Sequence, residues 1–206
     1  MRRNVVLSVL TGALLLIGAW NVQWTSQAAA DTTYSKAYFA GGCFWCMEEA
    51  FEKVEGVLSA TSGYMGGTVA NPSYEEVSAG QTGHAESVEV VYDPAKVSYQ
   101  KLLDAFWRNV DPITPNAQFC DHGSQYRSAI FFRTDEERRA SDTSKQAIEQ
   151  SRRFKEPIVT QIVMATQFYP AEEYHQDFYK KNPVRYKFYK YNCGRAKRLG
   201  ELWEKP

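Results

Sequence analysis

The 206-residue chain has no excess of charge of either sign, with 24 lysines and arginines against 24 aspartates and glutamates. Nothing in that balance suggests nucleic acid or an anionic membrane as a partner. Internal repeats and low-complexity tracts are also missing, which argues against solenoids and disordered arms. No long hydrophobic run is present: the best, residues 5–20, is about sixteen residues, where a bilayer span needs ~20. Arg2 and Arg3 precede that run, and Gln27-Ala28-Ala29-Ala30 follows it with the A-x-A pattern of a signal-peptidase site. Residues 1–30 therefore read as a secretory signal peptide, the alternative being an uncleaved amino-terminal anchor. No cysteine lies near the cleavage site, which argues against a lipoprotein. The expected product is exported, periplasmic, and begins near Asp31; losing Arg2 and Arg3 leaves 22 basic against 24 acidic residues.

Residues 31–206 are enough for one domain with a real core. All four cysteines, Cys43, Cys46, Cys120 and Cys193, fall inside it. In an oxidising compartment two structural disulfides would be the default. A domain of this size does not depend on such staples, so catalytic or redox use is open. Zinc is disfavoured, because Cys120 and His122 are the only near candidates for a second ligand pair.

Residues 36–40 read as a strand ended by Gly41-Gly42, and 43–54 carry helical spacing through Met47, Ala50, Phe51 and Val54. Strands follow at 57–64 and 86–92, separated by a polar loop over 68–83. Ser98 caps a helix to about 108, and a second long loop over 111–125 leads into a strand at 126–133. Thr134 with Glu137 predicts a capping box on a charged helix reaching about 154. Then 158–164 reads as a strand and 171–180 as a short helix. From 182 to 206 the chain is basic and aromatic without clear periodicity, so it reads as an irregular tail. The order β, α, β, β, α, β predicts an α+β fold: a two-layer sandwich with a ferredoxin-like split β-α-β core and a mostly antiparallel sheet.

Cys43 falls at a predicted helix start, where free backbone N–H groups and the helix dipole favour a thiolate. Cys46 lies one turn on, on nearly the same face. C-x-x-C after a strand is also the thioredoxin arrangement, but there Trp usually precedes the first cysteine, and here Phe44 and Trp45 lie between the two. The loops bring Tyr74 in N-P-S-Y, Glu86 in G-H-A-E, and Asp121 and Tyr126 in D-H-G-S-Q-Y-R-S. Singly, Glu86 reads as solvated, the tyrosines as packing, and His84 and His122 as turn caps. Loops entering strands converge at one end of a sheet, so together these groups can face Cys43.

These motifs carry a resemblance. G-C-F-W at 42–45, G-Y-M-G-G at 63–67, N-P-S-Y at 71–74, G-H-A-E at 83–86, V-Y-D-P at 91–94, D-H-G-S-Q-Y-R-S at 121–128 and F-Y-x-A-E-x-Y-H-Q at 168–176 are similar, in order, to the A-type peptide methionine sulfoxide reductases. The resemblance implies a Cys43 nucleophile that becomes a sulfenic acid as methionine is released. It implies Glu86 as proton donor, Tyr74 and Tyr126 as hydrogen-bond donors to the sulfoxide oxygen, and Asp121 as an orienting group. Phe44 and Trp45 would seat the substrate methyl group. Cys193 resembles the family's resolving cysteine, so Cys43–Cys193 is the disulfide expected after one turnover. Many members have Gly where this chain has Cys46, which could form a Cys43–Cys46 bond, relay the disulfide outward or pack; Cys120 is expected to be a buried thiol. The implied reaction needs no bound cofactor. Its electrons would come in trans from a thioredoxin-like dithiol, or from dithiothreitol in vitro, to a chain that is expected to be a monomer. A thiol–disulfide oxidoreductase using Cys43 and Cys46 alone, or a binding module with structural bridges, are the competing readings.

Overall fold

Alternation of apolar side chains builds the sheet. Strand β1 (Ser35–Gly41) sends Ala37 and Phe39 to one face and Tyr38 and Ala40 to the other, the two-residue period of a pleated strand. The same alternation puts Ala60 and Tyr64 of β2 (Val57–Met65), Val88 and Val90 of β3 (Ala85–Tyr92) and Ile130 of β6 (Ser128–Phe132) on the first face. Met65, Ala85, Ala129 and Phe131 share the second face under Phe168. These elements belong to a computed structural model that describes residues 33–204, so the predicted signal peptide lies outside the described residues.

Three helices close the first face. From α1 (Phe44–Glu52) come Phe44, Met47 and Phe51, and from α3 (Tyr99–Trp107) come Leu102, Leu103, Phe106 and Trp107. Phe39 lies between them, 4.7 Å from the Phe51 ring and 5.4 Å from Phe106. The third, α4 (Asp135–Gln150), is mostly charged and joins the core through Ser144, which accepts the Trp107 indole N–H at 2.9 Å. Burying such side chains contributes roughly 1.5–3 kcal/mol each, so the helical face holds most of the stability.

Strand β3 lies between β1 and β2, antiparallel to both, and β6 pairs antiparallel with the other edge of β1. That is the predicted split β-α-β arrangement, extended at its edges by β7 (Gln161–Met164), parallel to β6, and β8 (Tyr169–Pro170), antiparallel to β2. The predicted first loop contains α2 (Tyr74–Ser78), opened by a full capping box between Ser73 and Glu76. The box predicted at Thr134 is half formed: Thr134 Oγ1 accepts the Glu137 N–H, while the Glu137 carboxylate takes the Arg133 N–H and guanidinium instead. The second loop folds into a small hairpin, β4 (Ala117–Gln118) with β5 (Asp121–His122), and a 3-10 turn over Ser124–Tyr126.

Two predicted elements are corrected. Residues 171–180 are helical only in α5 (Phe178–Lys181), because the preceding side chains are tethered elsewhere: Gln176 bonds the backbone of Ser62 on both sides, and Glu172 accepts from Tyr74 N and the Tyr64 hydroxyl. The tail is not irregular. It forms α6 (Pro183–Asn192) and α7 (Arg195–Trp203), divided at Gly194 with φ +69°. Pro183 at the first helical position and a left-handed glycine after the last are the start and stop signals of a helix. Periodicity misses α6 because it is aromatic on both sides, Tyr186 and Tyr189 turned inward and Phe188 and Tyr191 outward.

Candidate active site

The corner between β1 and α1 positions the nucleophile. Gly42 has φ +77°, and a Cβ there would meet the Gln118 Cβ at 2.4 Å, so glycine is required for the corner to close against β4. The carbonyl of Gly41 accepts from the buried Arg195 guanidinium at 3.5 Å, which anchors the tail beneath the corner. Cys43 then stands at the N-cap of α1, only 5 % exposed.

One backbone donor expected to stabilise a Cys43 thiolate at the helix start is committed elsewhere. The Phe44 N–H that would stabilise it donates instead to Glu86 Oε2 at 3.0 Å. Burial pushes the Cys43 thiol well up, and its hydrogen bond with Cys46, the Cys46 charge and the Glu86 carboxyl add to that. Cys46 goes the other way. The Cys43 hydrogen bond pulls it down to about 6, against the cost of burial and with help from Arg195, Tyr186 and Lys190. Burial and the shared proton thus push the two sulfurs in opposite directions, Cys43 up and Cys46 down.

Glu86 opens β3 and is 3 % exposed. Burial raises its carboxyl to about 8 against the Phe44 N–H bond, with Asp121 and Cys46 pushing the same way. Near neutral pH it holds a proton. Tyr74, at the first position of α2, and Tyr126, at the end of the 3-10 turn, are raised by burial and then by Glu86. Both keep their O–H.

These groups meet in one cavity of about 250 Å³, lined by Cys43, Phe44, Trp45, Tyr74, Glu86, Asp121 and Tyr126. Every residue predicted for the reacting side is there. The cavity also takes Arg185 and Tyr189 from α6, which the sequence reading missed. Tyr189 is the joint of the site: its hydroxyl hydrogen-bonds the Cys43 sulfur, donates to Asp121 Oδ2 at 2.5 Å and lies 4.0 Å from Cys193 Sγ. Asp121 is raised by burial, partly offset by that bond. A larger cleft of about 660 Å³ around Trp203, between α3, α4 and α7, contains none of these groups.

His175 is a further residue that residue-by-residue reading missed, although its motif contained it. Its Nδ1 accepts the Trp45 Nε1–H at 3.1 Å, and Phe178 stacks on the indole at 3.8 Å, so Trp45 is held from two sides. Burial lowers the His175 pKa. With Nδ1 accepting, the neutral ring carries its proton on Nε2, which is buried without a hydrogen-bond partner.

The cysteines divide into two pairs. Cys43 and Cys46 are free thiols, buried with Phe178 and Tyr186. Cys120 was expected to be a buried thiol; it is exposed, at the turn between β4 and β5, and is disulfide-bonded to Cys193 at the end of α6.

Residues 35–206 match the profile of the peptide methionine sulfoxide reductase family. The peptide methionine sulfoxide reductase MsrA of Halalkalibacterium halodurans is 49% identical over 170 residues, covering 82% of this chain and 97% of that protein. Its counterpart in Listeria innocua is 48% identical over 169 residues, covering 82% and 96%. Among solved structures, reduced Mxr1 from Saccharomyces cerevisiae is 32% identical with a TM-score of 0.70, covering 75% of this chain and 88% of that one. Methionine sulfoxide reductase A of Corynebacterium diphtheriae is 32% identical with a TM-score of 0.64, covering 73% and 76%.

Proposed function

The chain belongs to the A-type peptide methionine sulfoxide reductases and reduces methionine S-sulfoxide to methionine through a sulfenic acid and an intramolecular disulfide, with thiol reductants and no prosthetic group; from that premise we propose how its own residues divide the work. The observation that carries the assignment is the cavity itself. A thiol, a protonated carboxyl and two protonated phenols from four different elements face one space with room for a single methionine-sized side chain.

Cys43 attacks the sulfoxide sulfur, having passed its proton within the Cys43/Cys46 pair. Glu86 protonates the oxygen as the S–O bond weakens, while Tyr74 and Tyr126 donate to the charge that develops there. Phe44 and the braced Trp45 seat the methyl group, an S–aromatic contact of about 0.3–1.5 kcal/mol. Asp121 orients the polar side through Tyr189. The net exchange is thiol plus sulfoxide to sulfenic acid plus sulfide.

Cys193 then attacks the Cys43 sulfenic acid, forming Cys43–Cys193 and releasing water. Cys120 attacks the Cys193 sulfur in turn, forming Cys120–Cys193 and returning Cys43 as a thiol with no net redox change. A thioredoxin-like dithiol, acting in trans, reduces that exposed bridge and becomes a disulfide. Peptide mapping after one turnover without reductant tests the order. Cys120→Ser protein is expected to yield Cys43–Cys193 and the unmodified chain Cys120–Cys193; a Cys43–Cys46 bond alone in both would overturn it.

Residues 1–30 act as a signal peptide and residues 31–206 as a single monomeric catalytic domain outside the cytoplasm, repairing oxidised proteins there. The charged start, the apolar run and the A-x-A site support this. Amino-terminal sequencing of the protein from a periplasmic fraction is expected to begin near Asp31; an intact Met1 in the membrane fraction would instead mean an anchor.

A further inference from the structure

The outer face of α6 has apolar side chains that nothing among the described residues covers. Val184, Phe188 and Tyr191 are 82 %, 70 % and 85 % exposed. Their spacing of four and then three residues puts them in one stripe along the helix. The opposite side of α6 is fully committed, Tyr186 and Lys190 to Glu49 and Tyr189 to Asp121. A helix with two apolar sides ordinarily lies inside a protein, and an uncovered apolar stripe marks an interaction surface.

The place of the stripe says what covers it. A groove of about 510 Å³ runs beside Asn182, Pro183, Val184 and Phe188 and shares Arg185 with the reaction cavity. That cavity, at about 250 Å³, takes one side chain. The residues on either side of a methionine sulfoxide in a polypeptide must therefore lie on its rim, and the groove meets that rim at Arg185. We propose that this groove is a subsite for the substrate polypeptide, and that it selects chains with a large apolar residue next to the methionine sulfoxide. Unfolded and oxidatively damaged segments expose such neighbours more often than folded chains, whose large apolar side chains are mostly buried. The proposal rests on the sulfoxide reductase reading of the cavity.

Binding tests the groove apart from catalysis. Full-length protein carrying Cys43→Ser would be titrated, by fluorescence anisotropy, with two labelled pentapeptides containing methionine S-sulfoxide, one flanked by leucines and one by serines. The leucine-flanked peptide is expected to bind about 5–10-fold more tightly, and Val184→Ser with Phe188→Ser to remove that preference, as loss of partial apolar burial predicts. Met164→Ser, which alters an apolar side chain 70 % exposed on β7, is expected to leave it intact. Equal binding of the two peptides, or a preference that survives in the double variant, would overturn the proposal. Should the double variant keep the preference and lose only turnover driven by a thioredoxin-like protein, the stripe serves the reductant and the proposal is wrong. Turnover of a blocked methionine sulfoxide with dithiothreitol by the wild-type protein tests the reductase reading separately, and its absence would overturn that reading whichever peptide binds better.

Discussion

The two cysteine pairs of this molecule sit in opposite environments. Cys43 and Cys46 are sealed under aromatic rings, share a hydrogen bond and remain thiols, whereas Cys120 and Cys193 join a hairpin turn to a helix end at the surface and are bridged. The difference separates two requirements of one reaction. Sulfoxide chemistry benefits from a dry site, where donors aimed at a developing charge are strong, while re-reduction needs a sulfur that a protein dithiol can reach. Tyr189 touches both ends of the transfer, lying against Cys43, Asp121 and Cys193.

The largest effect should come from the buried pair. Cys43→Ser is expected to lower reduction of blocked methionine S-sulfoxide by ~10⁴-fold or more, with an unchanged circular dichroism spectrum. If activity persists, the division between the pairs is broken, because another sulfur is doing the chemistry.

Glu86→Gln is expected to cost ~10²–10⁴-fold in kcat and to change the pH profile. Glu86 is raised to about 8 and must be protonated to act, so wild-type kcat should hold below that pH and fall above it, while the variant's residual rate should lack that fall. Stability follows the same sign. The folded state binds this proton more tightly than the unfolded chain, so its contribution is full below the ordinary carboxyl pKa and is lost as pH rises towards 8. Thermal unfolding should therefore show Glu86→Gln gaining on the wild type between pH 5 and 8; a constant gap would mean that Glu86 is ionised in the fold.

Tyr74→Phe and Tyr126→Phe together should lower kcat by ~10²–10³-fold, and each alone by about tenfold, with little change in KM. An equal rise in KM would assign them to ground-state binding. For the exposed pair, Cys120→Ser should slow turnover about tenfold with a thioredoxin-like reductant and much less with dithiothreitol, which is small enough to reach a bond at Cys43. Equal losses with both reductants would remove the distinction between the inner and outer pairs.

The smallest effect is spectroscopic. Thiolate absorbance of the fully reduced protein should show one step near pH 6 from the Cys43/Cys46 pair, and Cys46→Ala should remove it, leaving Cys43 to ionise above the ordinary thiol range. If the step survives, the charge belongs to Cys43 and the helix start outweighs burial.

Much of the site was legible because its residues are recruited by short, local signals. Gly41-Gly42 before a helical pattern predicts the Cys43 corner, and loops entering strands bring Tyr74, Glu86, Asp121 and Tyr126 to one end of the sheet. The strand order was legible for the same reason, since two-residue alternation names the face of each side chain. Arg185, Tyr189 and the Cys120–Cys193 bridge were not. They depend on α6, whose inward and outward aromatics cancel any helical stripe, and whose inner face is chosen by Glu49 and Asp121, distant in the chain.

By itself, then, the amino-acid sequence brought forward the residues that line the cavity, because motifs at strand and helix ends name them and the family resemblance suggests their roles. Their protonation was decided only by the tertiary structure. Closing aromatics over the site removes water that would otherwise stabilise charge, which raises the Glu86 carboxyl against the Phe44 N–H bond it accepts and raises the Cys43 thiol as well. The pairing of Cys120 with Cys193 was likewise tertiary, since it requires the tail to fold back as a helix across the β4–β5 turn, a contact between residues 73 positions apart that no local pattern encodes.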